Sequence, residues 1–378
     1  MLFLDKYRPK KLEELDIHKK LTPHLKELAE TEDLPHLLFY GPSGAGKKTR
    51  ILSLLREMYG PQVENLSMTQ REFSFKSGGK TELTVLSSPF HIELNPSDAG
   101  VNDRKVIQEI IKEIASSAPI IVESKSTLES QFKKTNQKEK PKTNTLENTQ
   151  KKRDFKVVIL SEVDQLTKEA QQALRRTMEK YTRTCRIFMD CINISGIIDP
   201  LKSRCLGIRI PSPSSQEIKT VLYKTCKKEG IKLPNYFADT IIEKSEFNLR
   251  KALLILESAK MDQYPFSQNQ TIQPPDWEKL IIKMAHLMIE EQSPARLLIL
   301  RNSIFELLTH CIPPDLIFKK LTLELIQKVG GEMQKQVIIW AAFFEHRSKL
   351  GTKPIIHIEA FMAKFMSLYK QFLSVNFN

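Results

Sequence analysis

Seven consecutive residues, Gly41-Pro42-Ser43-Gly44-Ala45-Gly46-Lys47, have the types and spacing of a phosphate-binding loop. The glycines let the backbone curl so that its N–H groups point inward, and the lysine reaches the outer phosphates of a nucleotide. Such a loop needs an apolar strand before it and a helix after it. Residues 37–40 (Leu-Leu-Phe-Tyr) and the amphipathic stretch 48–58 supply both, so a glycine turn without a ligand is the weaker reading. The next position ordinarily carries a hydroxyl that holds Mg²⁺. Here it is Lys48, whose ammonium would repel the ion. Thr49 comes one place late, turned about 100° away on the helix. A second element shows a matching loss. The apolar strand 157–160 runs into Ser161 and Glu162, where an Asp on the metal and a Glu that polarises water would stand. Glu162 is then the surviving carboxylate of a degenerate catalytic site. ATP or ADP is expected to bind, with Mg²⁺ weak or absent and hydrolysis poor.

The elements that must position these residues alternate. Apolar runs at 37–40, 90–94, 157–160, 186–192 and 206–210 read as strands, and 48–58, 103–115 and 168–181 as amphipathic helices between them. That pattern predicts a parallel sheet covered on both faces. After Pro211-Ser212-Pro213 the strands stop. Three short helices at 215–230, 234–245 and 249–260 follow, then a Gln/Pro stretch at 264–275, then only helices. In the last of these, Ile358, Phe361, Met362, Phe365, Met366, Tyr369, Phe372 and Leu373 form one stripe. The helix 336–345 is apolar on nearly all sides, which predicts burial on more than one face, one of them against another chain.

Composition bounds the partners. The 378 residues carry a net charge of +13, but the polar segment 124–153 alone holds nine Lys/Arg against three Glu. With three large apolar residues, that segment is expected to be a disordered, solvated loop. The rest is only mildly basic. Five cysteines without a CxxC pair exclude a disulfide framework and a zinc finger and suit a reducing compartment. No metal site and no membrane segment is expected. The first residues lack a cleavable apolar core.

Taken in order, Asp5-Lys6-Tyr7-Arg8-Pro9, Pro35-His36-Leu37-Leu38, Asn95-Pro96-Ser97-Asp98, Ala173-Leu174-Arg175-Arg176-Thr177-Met178-Glu179, Ser203-Arg204-Cys205 and Asn248-Leu249-Arg250-Lys251-Ala252 carry a resemblance. The chain resembles the small subunits of replication factor C, the loader of the ring-shaped sliding clamp, within the AAA+ ATPases. The resemblance covers nearly everything outside 124–153. The Gly-Lys-Lys-Thr and Ser-Glu-Val-Asp variants are similar to the branch of that family whose own ATPase site is degenerate.

The resemblance implies an α/β plus α fold in three parts. These are a P-loop AAA+ domain with a parallel sheet over 1–211, a helical lid over 212–275 and a helical collar for oligomerisation over 276–378. It implies that Tyr7, Arg8 and Pro9 lie by the adenine and that Arg250 reaches the phosphates as a second sensor. The first-sensor position falls on Ile192, with Asn193 adjacent. Arg204 corresponds to an arginine finger acting in trans on a neighbour's nucleotide, with Arg175 and Arg176 on the same interface. Arg104, Lys105 and Lys112 are placed to contact DNA phosphates. The implied partners are the other replication factor C subunits in a hetero-pentamer, the sliding clamp and primer–template DNA, in the nucleus.

Two rivals come from other classes. Lys48 and Ser161 argue against an autonomous P-loop ATPase or phosphotransferase. The intact loop and Arg250 argue against a scaffold that binds no nucleotide. A subunit of a checkpoint or cohesion loader is an alternative with the same architecture.

Overall fold

The computed structural model describes residues 1–31, 33–74, 80–116, 155–267, 270–351 and 353–376, and the basic segment 124–153 lies outside them. The chain forms two compact units, Met1–Gln270 and Thr271–Asn378. The first is built on a seven-stranded sheet. Its strands are β1 (His36–Tyr40), β2 (Ser67–Ser74), β3 (Lys80–Ser87), β4 (His91–Leu94), β5 (Lys156–Leu160), β6 (Cys185–Cys191) and β7 (Cys205–Arg209). Their order is β2-β3-β4-β5-β6-β1-β7. From β4 to β7 every pairing is parallel, as the apolar runs predict. The β2–β3 hairpin is antiparallel and extends the sheet beyond that expectation. Its strands escape an apolar-run criterion because, among their described side chains, only Leu83 and Val85 are buried, at an edge where polar residues are tolerated.

The central strands are largely apolar because both faces are covered. Leu38, Val158, Leu160, Ile187 and Met189 face a core closed by helices α4 (Asp103–Ser116) and α5 (Lys168–Tyr181). Leu37, Phe39, Val157, Ile159 and Phe188 face a core closed by α2 (Leu21–Glu30) and α3 (Lys47–Tyr59). Alternate residues of one strand thus feed opposite layers. Parallel pairing brings the carboxyl ends of β1, β5 and β6 to one edge, where the candidate motifs follow.

Two short helices, α1 (Phe3–Lys6) and α6 (Asp199–Lys202), flank functional segments. Three helices then pack beside the sheet region: α7 (Ser215–Glu229), α8 (Asn235–Ser245) and α9 (Leu249–Asp262). Ser214 and Glu217 form a reciprocal capping box that starts α7. The Asn248 side chain accepts the Lys251 N–H at 3.1 Å and starts α9.

The second unit holds α10 (Asp276–Glu290), α11 (Pro294–Thr309), α12 (Pro314–Lys328), α13 (Gly331–Leu350) and α14 (Pro354–Asn376). The α14 stripe is its core: Ile358, Phe361, Met362, Phe365 and Met366 are buried. Within this chain α13 is buried on one face. Val337 and Ala341 are buried, whereas Ile338, Ile339 and Phe343 are 50%, 64% and 46% exposed. No described helix is long and apolar enough to cross a membrane.

Candidate functional site

The loop after β1 takes backbone angles that L side chains resist. Gly41, Gly44 and Gly46 have φ of 151°, 75° and 89°. Two of them also permit close approaches. A Cβ on Gly41 would lie 1.9 Å from the Ile210 carbonyl oxygen, and one on Gly44 would lie 1.8 Å from Asn248 Oδ1. Gly44 therefore lets the start of α9, with Arg250 in its first turn, settle against the loop. Lys47 is buried, and its ammonium donates to the carbonyls of Gly41 at 2.9 Å and Pro42 at 3.2 Å. Burial lowers its pKa, partly offset by Asp190. A cation held this way on two carbonyls can exchange them for phosphate oxygens without moving its stem.

Two cavities meet at this loop. The smaller, about 120 Å³, is walled by the loop with Arg8, Glu162, Asp190, Ile192 and Arg250. The larger, about 470 Å³, is bounded by Tyr7, Pro9, Ile17, Ala45, Leu253 and their neighbours. Its mostly apolar walls suit a base, whereas the smaller cavity suits phosphates. Arg8, Gly44, Gly46, Thr49 and Arg250 line both. Ser43 lines the smaller, and Pro42 contributes its carbonyl.

The amino-terminal wall is tied down by residues the motifs do not include. The Tyr7 hydroxyl donates to Glu229 at the end of α7, and Lys6 reaches the same carboxylate at 2.5 Å. Those bonds pull the Glu229 pKa down to about 2. The Glu217 carboxylate accepts the His18 N–H at 2.6 Å while also serving the capping box. Arg50, 2% exposed, donates to the carbonyls of Ile17 at 2.7 Å and Ala45 at 3.3 Å, and so joins the base-side wall to the phosphate loop. Burial pulls its pKa down to about 10, so it stays charged at pH 7.

The metal side is altered. Lys48 forms an ion pair with Glu93, a buried carboxylate on β4. Ser161 follows β5, and Glu162 comes next with a left-handed φ of 53°. The Glu162 N–H donates to Asp190 Oδ1 at 3.0 Å. Partial desolvation, then Asp190, Asp164 and Asp98, hold the Glu162 carboxyl above its ordinary range. Asp164 uses one oxygen to accept the N–H groups of Ile192 and Asn193 at 3.2 and 3.1 Å. Ile192 lines the smaller cavity, and its side chain has no polar atom to serve as a sensor.

The remaining candidates lie elsewhere. Arg204 lines neither cavity. It sits between α6 and the edge strand β7, donating to Glu179 from Nε at 2.7 Å and to the Pro200 carbonyl from Nη1 at 2.7 Å. Arg104, Lys105 and Lys112 are exposed on α4, and Arg104 pairs with Glu169 at 3.3 Å. Sequence reasoning missed Arg50, Glu93, Glu179 and Glu217. A charge on the apolar stripe of α3 and a carboxylate inside a buried strand were the available signals for the first two.

Three family models match in succession. They are the Rad17 P-loop domain over residues 1–204, the RCF1/5-like AAA+ ATPase lid domain over 220–261, and the replication factor C subunit 3 C-terminal domain over 277–373. Replication factor C subunit 3 of Homo sapiens is 47% identical, with 98% of this chain and 97% of that protein covered. The subunit 3 of Arabidopsis thaliana is 46% identical over the full length of both. Replication factor C subunit 5 of Schizosaccharomyces pombe is 40% identical, with 98% and 97% covered.

Proposed function

The chain belongs to the replication factor C small-subunit family, among relatives named subunit 3 or subunit 5, and on that premise we propose that it is the clamp-loader subunit that binds nucleotide without turning it over. The observation that carries this reading is the ion pair between Lys48 and Glu93. An ammonium fixed by a buried carboxylate occupies the place of the metal-binding hydroxyl. Ser161 offers no carboxylate opposite it. Glu162 and Asp190 still offer oxygens at the smaller cavity, but the hydroxyl and the carboxylate that would complete a divalent-cation site are replaced by Lys48 and Ser161, so the residues fit Mg²⁺ poorly. The phosphate cradle does fit a nucleotide. Lys47, Arg8 and Arg250 converge on the smaller cavity, and the glycine loop leaves room for phosphate oxygens. The positive charge at the phosphates comes from Lys47, Arg8 and Arg250.

The rest of the reading assembles around this site. Arg204, on the sheet edge, serves a neighbouring subunit's nucleotide as a trans-acting arginine. Exposed Ile338, Ile339 and Phe343 on α13 mark the collar face on which the subunits of the pentamer meet. The exposed α4 cations meet duplex phosphates, giving salt-dependent contacts without sequence preference. The Arg104–Glu169 pair, exposed on both sides, is cheap to exchange for a phosphate. The assembly acts in the nucleus and loads the sliding clamp at primer–template junctions.

Titration with a fluorescent ADP analogue tests the nucleotide reading. Wild-type affinity should change less than about threefold between EDTA and Mg²⁺. The double variant Lys48→Thr/Ser161→Asp, which restores hydroxyl and carboxylate, should favour Mg²⁺ by about tenfold or more. Strong Mg²⁺ dependence in the wild type would defeat the proposal. In the same assay Lys47→Ala should lose about 100-fold in affinity, the scale of one or two charge-assisted hydrogen bonds. ATP turnover by the assembled complex should stay near wild type, because this site contributes little to it.

A further inference from the structure

Arg204 is held before any neighbour arrives. Its Nε donates to Glu179 Oε1 at 2.7 Å, and Nη2 lies 2.6 Å from the same oxygen. Nη1 donates to the Pro200 carbonyl at 2.7 Å and lies 3.4 Å from the Ser203 hydroxyl. A guanidinium has five donors in a rigid fork. Glu179 and Pro200 take the inner ones and leave capacity at the tip. Glu179 itself is well mounted. It lies near the end of α5, whose Ala170, Leu174 and Met178 are buried in the sheet core and whose first turn is capped by Thr167. Its carboxyl is held below the usual range, chiefly by the hydrogen bond from Arg204. Arg175, one turn earlier, stands 3.6 Å from the same oxygen. An open cleft of about 620 Å³ adjoins these groups, lined by Gln172, Arg175, Arg176, Glu179, Asp199 and Pro200.

We infer that Glu179 is a positioning residue for Arg204: it anchors the inner edge of the guanidinium on α5 so that the tip is presented to an anionic group, the nucleotide phosphates of the adjoining subunit. This rests on the trans role proposed for Arg204. An arginine on a short turn has several free torsions. Without its anchor, only a fraction of its conformers would present the fork, and the loss would fall on turnover rather than on binding.

The test is steady-state ATP turnover by reconstituted complete complexes carrying Glu179→Gln, Glu179→Asp, Arg204→Ala or the double variant Arg204→Ala/Glu179→Gln. Glu179→Gln should lower kcat at the neighbouring site about tenfold with KM unchanged and an unaltered melting temperature for this chain. Glu179→Asp should recover most of the loss. In the Arg204→Ala background, Glu179→Gln should add nothing. If Arg204→Ala lowers turnover but Glu179→Gln leaves it at wild type, raises it, or adds its effect independently, the positioning role is wrong and the reading of Arg204 survives. If Arg204→Ala itself leaves turnover intact, the reading beneath the inference fails, and the inference with it.

Discussion

Gly41→Ala should cost the chain about 3 kcal/mol of stability, lower its melting temperature by roughly 10 °C, and abolish nucleotide binding. Two effects add. A side chain at φ 151° is strained by itself, a cost of order 1–3 kcal/mol. The new Cβ would also meet the Ile210 carbonyl oxygen at 1.9 Å, and that group cannot move aside cheaply. The Ile210 N–H is bonded to the Tyr40 carbonyl at 2.8 Å, and the Gly41 N–H to the Cys191 carbonyl at 3.3 Å, so the loop starts from three strand ends locked together. Relief of the clash has to displace the loop and with it the carbonyls that seat Lys47. Gly331→Ala is the control. A Cβ there meets nothing within 4 Å, and the residue opens α13, where alanine is the better helix former. Thermal melts and nucleotide titration of both variants decide the matter. A Gly41→Ala chain with wild-type melting and binding would show that the close approach is not needed.

What could be read before the fold was known follows from how each residue is used. The strands β5 and β6 were legible because burial on both faces removes any need for polar residues. The β2–β3 hairpin was not, since Met68-Thr69-Gln70-Arg71-Glu72 at a sheet edge has no reason to be apolar. The loop was legible because glycine is nearly obligatory at φ of 75° and 89°. Its relation to Asn248 was not, because that contact joins residues about two hundred positions apart and depends on how α9 docks. Lys48 could be recognised as misplaced, yet its partner could not be named. Glu93 announces a buried charge only once β4 is known to have that face covered, and only the register of β4 on β5 brings it to the loop. Arg50 is similar. Its place beside Ile51 and Leu54 on α3 marks it as buried, but its acceptors are backbone carbonyls, and those leave no trace in the sequence.

Arg204→Ala should lower hydrolysis at one neighbouring site by about 10³-fold or more, while this chain's own nucleotide binding and its assembly stay close to wild type. The separation of effects is the substance of the prediction. Arg204 lines neither cavity at the loop, so its removal takes nothing from the resident nucleotide. The α13 face offered for assembly belongs to the other unit. What is lost is a permanent charge with a planar fork, mounted beside β7, which among the described residues is an edge strand paired with β1 alone. Arg204→Lys should rescue little. A lysine keeps the charge but has no second donor edge, so it cannot hold Glu179 and the Pro200 carbonyl while also meeting a phosphate. Exposed ion pairs contribute little to stability, so loss of the Glu179 contact should leave the melting temperature close to wild type. The measurement is ATP turnover by reconstituted complexes with the other sites disabled one at a time. Wild-type turnover at every neighbouring site in the Arg204→Ala complex would reduce Arg204 to a residue that fastens α6 to α5.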